Sequence, residues 1–116
     1  MQVNVLRELF RNLQAFRAFY EAEGQDTITG PDGREYCLFD VEHLYEQVRV
    51  LSPRQRQAIE LCLVGNVKEK QASKIMGVSE TNPVMMYATN GLKRICQMID
   101  AGEVPRYVEV DEMAVA

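Results

Sequence analysis

Apolar residues recur at three- and four-residue intervals from the start of the chain: Leu6, Leu9, Phe10, Leu13, Phe16 and Phe19. One apolar stripe of that period predicts an amphipathic helix from about Val3 to Ala22. Arg7, Arg11 and Arg17 lie off the stripe, and the glycine of "EGQD" (residues 23–26) ends it. The period then changes. Thr27, Ile28 and Thr29 are β-formers, Gly30-Pro31-Asp32-Gly33 has turn chemistry, and Glu35 to Leu38 can return as a second strand. A short β-hairpin is predicted, laid on the helices because an isolated hairpin is barely stable in water. Asp40 is the expected cap of a helix running to about Val50, with Val41, Leu44, Tyr45 and Val48 on its apolar face. His43 falls beside that face with no partner near it in sequence, and reads as a rim or surface histidine.

The carboxyl half is punctuated more clearly. In "LSPRQRQAIELCLVG", Ser52 is a helix cap and Pro53 suits the first helical position. Leu51, Ala58, Ile59, Cys62 and Leu63 supply the apolar face, and Gly65 stops the helix. In "NVKEKQASKIMGVS", Ala72, Ile75 and Met76 are expected inside, with Gly77 making a turn. Asn82-Pro83 opens a last helix whose stripe is Val84, Ala88, Leu92, Ile95 and Ile99. Gly91 lies beside that stripe, where another backbone can approach closely. In the tail, residues 107–110 alternate like a strand, and a partly disordered end is the competing reading.

Composition narrows the picture. At 116 residues, 47% of them hydrophobic, there is room for one domain with a modest core. No apolar run approaches the roughly 20 residues that span a bilayer. The first ten residues lack the features of a signal peptide, so cytoplasmic residence is the default expectation. Cys37, Cys62 and Cys96 are widely spaced, an odd number, and neither a disulfide framework nor a metal site suits them. They are expected as small buried or half-buried apolar groups. No phosphate loop, nucleophile elbow or acid–base pair is present, so neither an enzyme nor a cofactor is expected.

The net charge of −4 disfavours nucleic acid, but its distribution does not. Residues 51–98 carry seven basic against three acidic groups, while the segments on either side each carry −4. A basic middle between acidic flanks suits a polyanion-binding module.

Three helices with a glycine turn between the second and third follow helix-turn-helix logic. Ala72 and Ser73 allow close helix approach, Gly77 permits a left-handed turn, and Val78 plugs the angle between the helices. Ser79 or Asn82 caps the third helix, whose N-terminal dipole end can meet a phosphate. The predicted class is mainly α: a three-helix helix-turn-helix core, an N-terminal amphipathic helix, an additional helix at about 40–50 and a short β-hairpin. The division expected is 1–49 for the front elements, 50–99 for the helix-turn-helix and 100–116 for an acidic tail.

The residues "LSPRQR" (Leu51 to Arg56), "GVSE" (Gly77 to Glu80) and "GLKR" (Gly91 to Arg94) resemble region four of bacterial sigma factors and the related response-regulator output domains. The resemblance covers about residues 50–99. It implies a domain that enters the DNA major groove and packs on RNA polymerase. Carried over by position, it implies that Ser79, Glu80, Thr81, Asn82, Met85, Met86, Thr89 and Asn90 approach bases or the groove wall. Lys68, Lys70, Lys74, Lys93 and Arg94 are the implied phosphate contacts.

This chain departs from the pattern in two ways. It is one residue longer between "GVSE" and "GLKR", and Met85 and Tyr87 stand where basic residues are common in the family. Readout of base edges relies on Arg, Lys, Asn or Gln, so weaker or narrower recognition is expected. Met85 and Met86 cannot both face the core, because neighbours in a helix sit about 100° apart. The exposed one packs under the front segment, forms an adaptable protein-binding surface, or touches thymine methyls. Three functional readings stay open. The first is a small regulator that binds double-stranded DNA. The second is an adaptor or sigma mimic acting on RNA polymerase or a sigma factor. The third is an oligomeric packaging or replication accessory.

Overall fold

The computed structural model describes residues 1–79 and 82–104. Glu80, Thr81 and the expected strand at 107–110 lie outside the described residues. The mainly helical class is observed, with one two-stranded antiparallel hairpin.

The long amphipathic helix is two helices, α1 (Val3–Arg11) and α2 (Leu13–Glu23). The break has a local cause. The side-chain amide of Asn12 donates to the carbonyl of Glu8 at 2.8 Å, and the Asn12 backbone N–H donates to the same oxygen at 3.1 Å. Such side-chain competition is why Asn weakens helix interiors. Leu6, Leu9, Phe10, Leu13 and Phe16 are buried as the stripe predicts. Phe19 is not: past the break α2 buries only Leu13 and Phe16, and Phe19 is 51% exposed.

β1 (Thr27–Thr29) pairs with β2 (Glu35–Cys37), with Ile28 opposite Tyr36. The Tyr36 hydroxyl donates to Asp32 at 2.6 Å, closing the turn, and holds that carboxyl below the usual range. Helix α3 (Leu38–Glu46) begins two residues before the expected cap. Cys37 occupies the cap position, and Asp40 sits in the first turn, where its charge still favours the helix dipole. A 3-10 turn, Gln47–Val50, replaces the predicted last turn of α-helix.

Helix α4 (Pro53–Ile59) starts as predicted. Ser52 accepts from the N–H of Gln55 while the Gln55 side chain accepts from the N–H of Ser52, a complete capping box. Its continuation, Glu60–Val64, widens into a π turn whose Val64 carbonyl accepts from the Gln14 side chain at 2.8 Å. Helix α5 (Glu69–Met76) buries Ala72, Ser73 and Met76. Ile75 was expected inside and is 51% exposed. It lies about 100° from Met76 on the side away from Ser73, and the small serine takes the inward place.

Helix α6 (Asn82–Asp100) carries the longest buried stripe: Val84, Ala88, Leu92, Ile95 and Ile99. Gly91 lets α4 come close. A Cβ there would stand 2.8 Å from Ile59 Cδ1 and 3.1 Å from Leu51 Cδ1. Helix α1 packs on the other flank of α6 and on the π turn. Burying Leu6, Leu9 and Phe10 there stabilises the assembly by roughly 1.5–3 kcal/mol per side chain. Among the described residues, no helix is long and apolar enough to cross a membrane.

Candidate nucleic-acid interface

The turn between α5 and α6 is built from backbone bonds that only a left-handed residue permits. Gly77 has φ 71°. Its N–H donates to the carbonyl of Lys74, and the N–H of Val78 donates to that of Ser73. This pairing is a Schellman closure, with half-buried Val78 as its apolar plug. Arg54, from the first turn of α4, holds the corner. Its guanidinium donates to the carbonyl of Met76 at 3.3 Å and lies 5.9 Å from the ring centre of Tyr87. One side chain thus joins all three helices. Sequence reasoning missed this role, since Arg54 meets Met76 and Tyr87 only once the chain is folded.

Residues 42–95 match the family model for sigma-70, region 4. The helix-turn-helix is sigma-70 region 4-like. The match begins inside α3 and ends within α6. Region 4 is a DNA-binding, non-enzymatic helix-turn-helix. No curated protein and no solved structure matches the chain.

Within this region 4-like unit, α6 is the helix that follows the glycine turn, and its surroundings divide it into three faces. One face is the core stripe against α4. A second is covered by α1, which runs antiparallel to α6. Arg7 donates to the Thr89 hydroxyl at 3.0 Å, and Arg11 shares a crevice of about 290 Å³ with half-buried Met85. Cys62, Leu63, Val67, Lys68 and Glu69 complete that crevice. The third face is open: Met86, Asn90, Lys93 and Gln97, spaced four, three and four, are all exposed, and Arg94 borders them. Met86 is 61% exposed.

Of the residues expected at the groove, Met86 and Asn90 therefore share the open face. Met85 and Thr89 turn towards α1. Ser79 is exposed in the turn ahead of α6, and Asn82 is the first residue of α6. The question of the two methionines is divided between them: Met85 packs beside the front segment and Met86 faces outward. The five expected phosphate contacts are all exposed, with Lys68, Lys70 and Lys74 on or just before α5 and Lys93 and Arg94 on α6. Two more cations join this side from α1. Arg7 is half-buried against Thr89, and Arg11 is exposed but paired with Glu8 at 2.9 Å. Their signal in the sequence was position: both lie four residues apart off the apolar stripe. Gln97 was also missed, although it continues the period of Met86, Asn90 and Lys93.

The cysteines are free thiols; Cys37 and Cys62 are half-buried and Cys96 is buried. Burial pushes the thiols of Cys62 and Cys96 above the ordinary value, which favours the neutral form. His43 is half-buried; among the described residues its Nε2 has no hydrogen-bond partner, and its Nδ1 lies 3.9 Å from Glu46.

Proposed function

We propose that this protein is a small transcription regulator that binds double-stranded DNA through α5 and α6 and acts in the cytoplasm. The observation that carries the reading is the open face of α6, which carries Lys93, is bordered by Arg94 and is accompanied by the exposed lysines on and just before α5. Phosphate contacts by Lys68, Lys70, Lys74, Lys93 and Arg94 supply affinity, and the exposed face supplies preference. Residues 1–49 act as a brace: α1 supports α6 along its length and leaves the reading face uncovered. Residues 50–99 hold the reader, and residues 100–116 form an acidic tail.

The test is equilibrium binding of the full chain to a duplex, compared with a Lys74→Glu/Lys93→Glu variant. Both residues are exposed, so the fold is expected to survive. Binding is expected to weaken about tenfold or more on every sequence, because each reversal removes a phosphate contact and adds repulsion. Equal affinity of the two proteins would refute the assignment.

A second reading is supported by a separate observation. Phe19, Tyr20 and Phe39 are 51%, 41% and 45% exposed, and Tyr20 and Phe39 pack edge to face at 5.7 Å. This aromatic patch lies on α2 and α3, away from α6, and suits contact with RNA polymerase or a sigma factor. Capture of polymerase that is lost in Phe19→Ser/Phe39→Ser, with no duplex binding, would favour this adaptor role.

A further inference from the structure

Resting on the DNA-binding reading above, we infer that α6 reads a short A·T core, with Asn90 on adenine and Met86 on thymine methyl groups. The inference starts from what the reading face offers. From Asn82 to Leu92 the helix contains no Arg and no Lys. Cationic side chains that grip the O6 and N7 of guanine make the commonest specific base contact. Here that contact is missing from the half of the helix that enters the groove first.

Among the described side chains of that stretch, the exposed ones are one amide and one thioether, about a single turn apart. Asn90 and Met86 are both exposed, while Met85 lines the α1 crevice and the Thr89 hydroxyl accepts from Arg7. The brace thus narrows the polar groups available for direct readout. An Asn amide matches the N6 donor and N7 acceptor of adenine, and an apolar side chain fits the C5 methyl of thymine. Residues one helical turn apart stand about 5.4 Å apart along the axis, so their contacts fall within about two base steps of 3.4 Å. Both groups select the same kind of base pair. Lys93 and Arg94 follow in the next turn and are left to the phosphates.

The experiment is selection of bound duplexes from a random pool by the full chain, followed by titrations on the enriched duplex. An enriched core of two to three A·T pairs is expected. Asn90→Ala should lose about tenfold in preference for adenine over guanine at one position. Its affinity for a duplex lacking the core should stay within about twofold, since phosphate contacts carry no sequence information. Replacing thymine by deoxyuridine in the core removes only the methyl groups. It should weaken the native protein and leave Met86→Ala indifferent. A G·C core, no enrichment, or a deoxyuridine effect that persists in Met86→Ala would overturn the inference while leaving salt-dependent duplex binding intact. If the native chain binds no duplex at all, the DNA-binding reading itself falls.

Discussion

Single side chains decide how the helices of this protein are held at their corner. Arg54 stacks near Tyr87 and donates to the last carbonyl region of α5, so it fixes the angle from which α6 leaves the turn. Arg54→Ala is expected to cost about 1 kcal/mol of stability from the lost hydrogen bond and ring contact. Urea unfolding checks it, and Arg54→Lys should restore only part, because a compact ammonium cannot stack as a planar guanidinium does. The half-buried thiol of Cys62 and the buried thiol of Cys96 make a second prediction at this scale. Burial raises the folded pKa of Cys62 and Cys96, so the unfolded chain gives up these protons first as pH rises. Stability is therefore full below the ordinary thiol value of about 8.5 and falls progressively above it. Unfolding curves at pH 7.5 and pH 9.5 should differ in that direction, and Cys62→Ser/Cys96→Ala should flatten the difference.

At the scale of elements, the close crossing of α4 and α6 depends on the absence of a side chain at Gly91. Gly91→Val is expected to destabilise by roughly 1–3 kcal/mol, because Ile59 is fully buried and has nowhere to move. Thermal unfolding measures this; an unchanged midpoint would mean that the crossing tolerates more room than the distances allow. Much of this element layer was legible beforehand. Ser52-Pro53, Gly77 and the stripe from Val84 to Ile99 act through local chemistry or helical period, which a sequence displays directly. The break at Asn12, the outward Phe19 and Ile75 and the π turn were not legible, because each depends on which neighbour wins a contact. Asn12 competes for a carbonyl, Ser73 displaces Ile75 from the interior, and Gln14 meets the end of the π turn from 50 residues away. The candidate site divided in the same way. Lys68, Lys70, Lys74, Lys93 and Arg94 were visible as charges in a helix-turn-helix. The split between Met85 and Met86, and the capture of Thr89 by Arg7, required knowing where α1 lies.

Over the whole molecule, charge and packing work together. The acidic front half contributes α1, whose Arg7 and Arg11 face the same side as the basic segment rather than opposing it. Within an overall charge of −4, the described cations Lys68, Lys70, Lys74, Lys93 and Arg94 are all exposed on or beside α5 and α6. The central claim is that these cations grip the DNA backbone, and equilibrium duplex binding of the full chain at several salt concentrations tests it most directly. With three to five phosphates neutralised, the logarithm of the binding constant should fall with the logarithm of salt at a slope of about −3 to −5. A slope near zero, or no duplex binding at low salt, would contradict it.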